Sequence, residues 1–556
     1  MTRFVHPRYL ASAGPDGLVR SAERLLSHLG FRDVVNVDGP GDQGGDIVAR
    51  RAGELWVFQA KWKSRPTSTV GADALAEVLS ARDSYGAQRA AIITNARASR
   101  ALLQQRAAFS AAHLEVPIWD GALLPKLADG AHDRITRIVL HPYQEQALRF
   151  VLDDLESRSR ALLVMATGLG KTFVAGQVVD RHIAENPQAQ VLVVAHTKDL
   201  VAQLERALWS HLSKETPTQL VTGESPADEL SGVTFSTLQT ALAASRRGYR
   251  ASLVVVDEAH HVGESGLYSE LLELQASALQ LGVTATPWRG DGFDISNAFG
   301  TASAQVSIED GMRLGYLAAV NYRMFGDNLD WDFVRAASKH AYSIRDLNAR
   351  LFLPGRDEAI ADELTVSWHA TVRPRGIVFC RTVEHAERMA EILRTRPHWA
   401  ASRAIHAQMS KRERQMTLLN FRSGKIPLLV AVDVLNEGVD VPDVNILCFA
   451  RVTHSRRIFI QQLGRGLRIR PGKAAVEVLD FVSDIRRVAA LLALKEATAS
   501  GDVETLHNPR RTQIEFADQD LGSLMQEWIR DAADLETRAD ESRLQFPDPG
   551  RFVHPS

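Results

Sequence analysis

Residues 164–172 read VMATGLGKT and directly follow an apolar run, a spacing that suits phosphate binding. Gly168 and Gly170 permit the backbone angles of a tight loop whose N–H groups point inward at an anion. Lys171 can reach the β- and γ-phosphates of a nucleotide, and Thr172 can ligate Mg²⁺. This stretch therefore predicts nucleotide binding, with ATP as the ligand.

A second apolar run ends in two carboxylates, in the motif LVVVDEAHH. Asp257 is expected to hold Mg²⁺ through water, and Glu258 is expected to orient or deprotonate the attacking water. The two motifs, in this order and at this spacing, predict ATP hydrolysis.

A third group of polar residues lies near the N-terminus, in GDQGGD and in the strand-like run LWVFQAK. Gln59 and Lys61 are two positions apart on a strand, so both point to one face and Ala60 points to the other. Asp46 begins the preceding strand and can face them across the hairpin. A carboxylate, an amide oxygen and an ammonium on one spot suit a metal-dependent phosphodiesterase.

Gln59 leaves this third site with one negative charge fewer than a glutamate would give. Because hard cations prefer carboxylate oxygens, we expect weaker Mg²⁺ binding. Two alternatives stay open on this observation, an active nuclease and a nuclease fold retained only for DNA binding.

The elements that must position these residues alternate between short apolar strands and helical patterns. We predict an α/β fold with a small α/β domain over residues 1–131. Two lobes built on doubly wound parallel sheets follow, over 141–320 and 360–488. The last stretch, 489–556, is acidic and is predicted to be a helical extension.

The net charge, the cysteine content and the apolar runs of the sequence limit the partners and the cellular compartment that we expect. The net charge is −2, so nucleic acid would have to meet local basic patches. The two cysteines, Cys380 and Cys448, lie in apolar runs and are expected to be buried thiols in a reducing compartment. The sequence opens with no signal peptide and contains no apolar run long enough to span a membrane, so we expect a cytoplasmic protein with no membrane partner.

Residues 141–488 resemble superfamily 2 helicases and translocases of the DEAH-box type. The most similar members are the helicase subunits of type I and type III restriction enzymes and their bacterial repair relatives. The motifs that carry the resemblance are HPYQ, VMATGLGKT, AHTKDL, FSTLQT, DEAH, TATP, IVFCRT, VDVLNEGVDVP and QQLGRGLR. The resemblance implies two RecA-like lobes, and it identifies Met165, in place of the usual glycine, as the helicase variant of the phosphate loop.

The helicase resemblance implies roles for further residues. Gln144 stands where the family reads the adenine edge, and Thr167 belongs to the ATP-binding loop. Arg465 and Arg468 stand at arginine-finger positions, which stabilise charge on the γ-phosphate when the lobes close. The positions implied for nucleotide or nucleic-acid contact, or for coupling between the lobes, are Gly438, Asp440, His260, Thr284 and Thr286.

Residues 16–128 resemble the Mrr-type restriction endonuclease domain of the PD-(D/E)xK nuclease class. AERLLSHLGF, GDQGGDIVA, VFQAK, VGADALAEV, AAIITN and VPIWDGALLPKL carry this resemblance. It implies that Asp46 is a metal ligand, that Gln59 replaces the glutamate of many relatives, and that Lys61 is the catalytic lysine. Glu23, in the first helix, is a candidate further ligand.

Together these features predict an ATP-dependent DNA helicase or translocase coupled to a Mg²⁺-dependent endonuclease that restricts foreign or modified DNA, as in phage defence. DNA is the expected partner, and restriction or defence subunits are candidate partners. Three alternatives remain: a repair helicase with a trimming nuclease, a remodeller with an inert nuclease fold, and a DNA-binding switch gated by ATP.

Overall fold

The structure is a computed structural model of the 556-residue chain. It describes residues 3–38, 44–111, 115–135, 138–223, 230, 232–263, 266–285, 294–325, 341–343, 357–432, 444–450, 466–469, 473, 475–481, 513–516 and 543–545.

The N-terminal unit is a mixed sheet covered by helices on both faces. Its helices are α1 (Pro7–His28), α2 (Asp73–Tyr85), α3 (Arg100–Ala111) and α4 (Leu123–Gly130). Its strands are β1 (Arg32–Asn36), β2 (Ile47–Arg51), β3 (Glu54–Lys61), β4 (Thr69–Val70), β5 (Arg89–Thr94), β6 (Arg97–Ala98) and β7 (Ile118–Trp119). In the described part of this unit the main sheet has the order β1-β2-β3-β5-β7, antiparallel from β1 to β3 and parallel from β3 to β7.

Successive side chains of β3 point to opposite faces of the sheet, and this determines which helix each side chain faces. Phe58 packs into the core beside α1, and Val57 packs into the opposite core, to which α2 contributes. Since strand residues alternate between faces, Gln59 and Lys61 lie on the Val57 face, the one that α2 covers.

The first helix begins earlier than the sequence pattern predicts. The apolar spacing of residues 16–30 predicts a helix there, but α1 begins at Pro7 and is kinked at Gly14, where φ is +75°. Pro15 follows the kink and has no backbone N–H to donate, which interrupts the helical hydrogen bonds there. The helix ends at His28, and Gly30 has the positive φ of +84° expected for a glycine after a helix end.

The second unit is a parallel sheet whose strands are buried on both faces. Its helices are α5 (Pro142–Arg158), α6 (Lys171–Glu185), α7 (Lys198–Trp209), α8 (Leu238–Arg246), α9 (Leu267–Leu274), α10 (Ser296–Phe299) and α11 (Ile308–Arg313). Its strands are β8 (Arg160–Met165), β9 (Val191–Ala195), β10 (Thr218–Val221), β11 (Val233–Thr237), β12 (Leu253–Asp257), β13 (Leu279–Thr284) and β14 (Ala304–Val306). The order over the described strands is β10-β11-β9-β12-β13-β8-β14. Continuous apolar runs such as LVVVD form these strands because helices cover both faces of the sheet.

The third unit is a second parallel sheet. Its strands are β15 (Ala319–Phe325), β17 (Gly376–Cys380), β18 (Arg403–Ile405), β19 (Leu428–Ala431), β20 (Ile446–Ala450), β21 (Ala475–Phe481) and β22 (Gln513–Phe516), in the order β18-β19-β17-β20-β21-β15-β22 where the chain is described. Its helices are α12 (Asp357–Ala370), α13 (Val383–Arg394) and α14 (Lys411–Arg422). Cys380 and Cys448 are buried thiols in it. The predicted α/β fold with two parallel-sheet lobes is confirmed.

Two segments depart from the predicted division of the chain. Residues 319 and 320 were predicted to end the first lobe, but β15 pairs with β21 of the second sheet. The helical prediction for residues 489–556 is wrong at β22, which also pairs with β15, and at β23 (Arg543–Gln545). The latter pairs antiparallel with β16 (Ala341–Ser343). Strands of three to seven residues that pair across such long separations carry little periodicity, so pattern alone does not reveal them.

No helix in the described ranges is both long and apolar enough to cross a membrane.

The N-terminal unit is fixed to the first lobe by a buried arginine. Arg24 on α1 is 2% exposed. Its guanidinium donates to the Thr218 hydroxyl at 3.2 Å and to the backbone carbonyls of Ser213, Lys214 and Thr216 at 3.1, 3.4 and 2.9 Å. Burial lowers the pKa of Arg24 to about 10, so the group is charged at neutral pH. Several acceptors from one loop satisfy this charge, which makes the docking geometry specific.

Further contacts extend this interface. The buried Glu23 carboxylate lies 3.1 Å from the Arg206 guanidinium on α7, and this carboxylate raises the pKa of Arg206. Lys214 donates from Nζ to the carbonyls of Ala128, Asp129 and Ala131, at 2.9, 3.0 and 2.9 Å. An ammonium at a helix C-terminus satisfies carbonyls that have no partner within the helix and interacts favourably with the helix dipole. The first lobe therefore caps α4 of the N-terminal unit.

The second lobe touches the N-terminal unit through α14. The Arg412 Nε donates to the Tyr85 hydroxyl at 3.2 Å, and the guanidinium lies over that ring, 5.1 Å from its centroid. Leu419 is buried in the same core as Val57, and Met416 packs against it. The N-terminal unit thus contacts both lobes, with the larger set of charged contacts on the first.

We predict that acidification destabilises the folded protein through His28, a buried residue at the end of α1. Its Nδ1 lies 3.0 Å from the His132 carbonyl, and burial lowers its pKa to about 4. Between pH 6.5 and 4 the unfolded chain binds a proton that the folded chain does not. The free energy of unfolding therefore falls as pH falls through this window, and the contribution of His28 to stability is fully present above pH 6.5.

The comparison is between wild type and His28→Gln, which can still donate to the His132 carbonyl but does not titrate. At pH 5 the histidine costs wild type about 2 kcal/mol relative to neutral pH. The fall in thermal unfolding midpoint between pH 7 and pH 5 should be larger for wild type. Equal falls in the two proteins would contradict the prediction.

Candidate nuclease and nucleotide sites

The structure brings Asp46, Gln59 and Lys61 to one end of the N-terminal sheet. The backbone N–H of Ala60 donates to Asp46 Oδ2 at 2.6 Å, and the Asp46 N–H donates to the Phe58 carbonyl at 2.9 Å. The Asp46 carboxylate is therefore held against the end of β3, between the two polar residues of the Gln-Ala-Lys motif.

Two glycines allow the turn before Asp46 to approach α2 closely. A Cβ on Gly45 would lie 2.8 Å from Val57 Cγ2 and 2.9 Å from Cε2 of the Tyr85 ring. Gly44 has a φ of +79°, and a Cβ there would lie 3.3 Å from Gln59 Nε2. A larger residue at 45 would push the turn, and Asp46 with it, away from β3.

Glu77 is a member of this cluster that sequence reasoning missed. It lies on α2, and its Oε2 accepts a hydrogen bond from Gln59 Nε2 at 2.5 Å and contacts the Lys61 ammonium. The available signal was that α2 follows the Gln-Ala-Lys strand and covers the face to which Gln59 and Lys61 point. Glu23, the predicted further ligand, instead directs its carboxylate to Arg206.

The donor set at this site fits a hard divalent cation. Gln59 is 2% exposed, and its Oε1 has no hydrogen-bond partner among the described groups. A buried amide oxygen without a donor is uncommon and costs free energy, but it is a suitable ligand for such a cation. Among the described residues no cluster of three or more His, Cys, Asp or Glu could hold a metal.

The nucleotide site forms where α6 begins. Gly168 and Gly170 have φ values of +94° and +90°, and Lys171 is the first residue of α6. The Lys171 ammonium contacts Glu258 Oε1 and lies 3.7 Å from Asp257 Oδ1. Thr172 and Asp257 line one cavity. The residues predicted to bind phosphate and metal therefore lie together at the carboxyl-end edge of the sheet, after β8 and at the end of β12, with β13 between these two strands.

Gln144 lies against the back of the phosphate loop. Its Oε1 accepts from the His141 N–H at 3.0 Å, and its Nε2 donates to the Leu169 carbonyl at 2.8 Å. The Tyr143 hydroxyl donates to the same carbonyl at 2.8 Å, and burial raises the pKa of Tyr143 to about 12. The start of α5 thus holds the loop that contains Thr167 and Gly170.

A buried histidine joins the carboxylate pair to the next strand. His260 Nδ1 lies 2.9 Å from the Thr284 hydroxyl and 3.3 Å from Glu258 Oε2. Thr284 is the last residue of β13 and the first residue of the TATP segment predicted to couple the lobes. These contacts connect the candidate hydrolytic residue with that segment.

The remaining predicted positions divide into two groups. Arg468 is described, and it forms an antiparallel β-bridge with Leu317 at the junction between the lobes. Arg465, Gly438, Asp440 and Thr286 lie outside the described residues.

Three known families match separate parts of the chain. Residues 10–128 match the restriction endonuclease family, residues 137–289 match the type III restriction enzyme res subunit, and residues 356–470 match the helicase conserved C-terminal domain.

Individual proteins are similar over about two thirds of this chain. The irc3 protein of Schizosaccharomyces pombe is 28% identical over 398 residues, which cover 68% of this chain and 64% of that protein. The endonuclease subunit of the type I restriction enzyme EcoAI of Escherichia coli is 26% identical over 401 residues, covering 66% of this chain and 49% of that subunit. The chain thus spans about half to two thirds of these relatives.

A solved structure shares the fold. It is the ATP-dependent type ISP restriction-modification enzyme LlaBIII bound to DNA, with a TM-score of 0.51 and 16% identity. The match covers 93% of this chain and 41% of that chain.

We predict that Gly170→Ala weakens ATP binding. The new Cβ would lie 2.4 Å from Gln144 Nε2, at a residue whose φ of +90° disfavours any side chain. Backbone strain of this kind costs roughly 1–3 kcal/mol, so the dissociation constant for a fluorescent ATP analogue should rise about five- to 150-fold.

Gly223→Ala is the matched control, because a Cβ there meets nothing within 4 Å. Its dissociation constant should match that of wild type. Unchanged binding in Gly170→Ala would show that the loop does not hold the nucleotide in this geometry.

Proposed function

We propose that this chain, which combines a superfamily 2 helicase of the type I/III restriction class with an N-terminal Mrr-type restriction endonuclease domain, is an ATP-driven DNA motor coupled to a DNA endonuclease. Its biological role in this proposal is restriction of foreign or modified DNA, including phage DNA. The observation that carries the proposal is a pair of polar clusters, in each of which a lysine lies beside carboxylates. The domains that contain the two clusters are held together by a buried charged interface.

In the motor, the proposed roles follow from the contacts around the phosphate loop. Lys171 binds the β- and γ-phosphates of ATP, and Thr172 and Asp257 hold Mg²⁺. Glu258 orients the attacking water and takes up its proton. Arg468, with Arg465, supplies positive charge to the γ-phosphate when the lobes close, and His260 and Thr284 pass the change at Glu258 to the coupling segment.

In the nuclease, Asp46 and the Gln59 amide oxygen hold a divalent cation, which we take to be Mg²⁺. The cation supplies charge stabilisation at the scissile phosphate and a water with a lowered pKa. The water oxygen forms a bond to phosphorus as the bond from phosphorus to the leaving sugar oxygen breaks, and the water's proton passes through solvent to that sugar oxygen, so that one molecule of water is added across the bond. Lys61 stabilises the negative charge that develops on the phosphate oxygens.

The two activities are coupled, in this proposal, because the nuclease domain contacts both lobes of the motor. Arg24 and Lys214 fix it to the first lobe, and Arg412 reaches it from the second. DNA moved by the motor would therefore be presented to a nuclease site that keeps a constant position on the first lobe.

The proposed role in restriction is supported by the similarity to an EcoAI endonuclease subunit and by the restriction families that match two of the three domains. A protein related to one subunit of a larger enzyme is expected to act with others, so restriction or defence subunits are proposed partners besides DNA.

The test is cleavage of plasmid and phage DNA with Mg²⁺, with and without ATP. Lys61→Ala should abolish cleavage and retain DNA-stimulated ATP hydrolysis. Lys171→Ala should abolish hydrolysis and any dependence of cleavage on ATP. Lys63→Ala, two residues beyond the motif on the same stretch of chain, is the control and should cut like wild type.

Other outcomes would favour the alternatives. DNA-stimulated ATP hydrolysis without cleavage of any substrate would favour a remodeller with an inert nuclease fold. Cleavage confined to damaged or branched DNA would favour a repair enzyme. DNA binding without hydrolysis or cleavage would favour an ATP-gated switch.

We further predict that Arg412→Ala lowers the stimulation of cleavage by ATP. The substitution removes the contact of the second lobe with Tyr85 and leaves the nucleotide site intact. A cation–π contact of this kind is worth about 0.5–1 kcal/mol, so the ratio of cleavage rates with and without ATP should fall about two- to fivefold.

ATP hydrolysis by Arg412→Ala should equal that of wild type. Arg414→Ala, on the same helix, is the matched control for loss of one positive charge. An unchanged ratio in Arg412→Ala would show that this contact carries no coupling.

A further inference from the structure

Glu77 occupies a central position in the nuclease cluster. Its Oε2 is shared between the Gln59 amide, at 2.5 Å, and the Lys61 ammonium. The turn that leads to Asp46 passes beside it, since a Cβ on Gly44 would lie 3.2 Å from the Glu77 Cβ. The Glu77 side chain is 42% exposed, so an ion can reach it from solvent.

The neighbouring amide provides an independent observation. Gln59 is almost fully buried, and its Oε1 has no hydrogen-bond partner in the described part of the chain, although its Nε2 binds Glu77. A buried acceptor without a donor destabilises the protein unless a ligand satisfies it. The same amide is bonded to Glu77 through Nε2, so the buried Oε1 and the Glu77 carboxylate belong to one cluster.

We propose that Glu77 is the second carboxylate ligand of the nuclease cation, together with Asp46 and the Gln59 amide oxygen. This inference rests on the proposed nuclease function and names the residue that supplies the charge missing at position 59. Hard cations such as Mg²⁺ and Mn²⁺ bind oxygen ligands, and their affinity rises with the number of charged ligands. Two carboxylates offset both charges of the cation, whereas Asp46 alone would offset one.

The shared oxygen also explains how Lys61 becomes available. While Glu77 pairs with the Lys61 ammonium, the lysine is engaged within the protein. A divalent cation bound to Glu77 would replace the Lys61 ammonium as the partner of this carboxylate. It would also repel the ammonium, because like charges at short range are unfavourable. Lys61 is then free to contact a DNA phosphate.

The test measures Mn²⁺ binding to the full-length protein without nucleotide, by the electron paramagnetic resonance signal of free Mn²⁺. The site lost in Asp46→Asn defines the nuclease site and separates it from any site in the motor. Glu77→Gln should raise the dissociation constant of this site at least about tenfold. Asp83→Asn, which removes an exposed carboxylate from the same helix, should bind like wild type.

A paired substitution distinguishes ligation from a structural role. Gln59→Glu combined with Glu77→Gln exchanges the two groups and preserves both the net charge and a hydrogen bond between them. If the carboxylate serves the cation, the exchange should restore the affinity to within about threefold of wild type.

Two results would overturn the proposal, and they differ in what they leave standing. Wild-type affinity in Glu77→Gln, with the site lost in Asp46→Asn, would make Glu77 a partner of Lys61 only and leave the nuclease proposal intact. Absence of any Asp46-dependent Mn²⁺ site, together with absence of cleavage, would overturn both proposals.

Discussion

The buried guanidinium of Arg24 is the interaction on which the arrangement of the domains depends. A charge removed from water is tolerated only when its donors find acceptors of good geometry. Four such acceptors come from residues 213–218. Three are backbone carbonyls in the segment between α7 and β10, and the fourth is the hydroxyl of Thr218, the first residue of β10. The nuclease domain can therefore dock on the first lobe in few orientations, because a small rotation would leave hydrogen bonds of a buried charge unmade.

The nuclease and nucleotide sites share one electrostatic design. In each, a lysine ammonium contacts a glutamate, Glu77 in the first and Glu258 in the second, and an aspartate lies beside them. A lysine surrounded by carboxylates is stable without a ligand, and both substrates carry phosphate and a divalent cation. Under the proposed function, a bound cation would take the place of the lysine at the carboxylates, and a substrate phosphate would take the place of the carboxylates at the lysine.

The sequence predicts these sites to different degrees, for physical reasons. The phosphate loop, the Asp-Glu pair and the Gln-Ala-Lys motif depend on residues close in sequence at the ends of strands, where spacing decides geometry. Glu77 was missed because its position depends on how α2 packs across the sheet, and the spacing of 16 residues from Lys61 carries no local signal. β15 and β22 were missed for a similar reason, since each pairs with strands far away along the chain.

The unequal contacts of the nuclease domain with the two lobes determine what lobe movement can change. On the first lobe, buried charges and three capped carbonyls hold it, and breaking them would expose unpaired groups. On the second lobe, one stacked arginine and a few apolar side chains touch it, an arrangement that costs much less to break. When the lobes move apart, the nuclease domain should stay with the first lobe. The contact that changes is at Tyr85, the last residue of α2, so movement of the second lobe would act on the helix that carries Glu77, the proposed ligand of the nuclease cation.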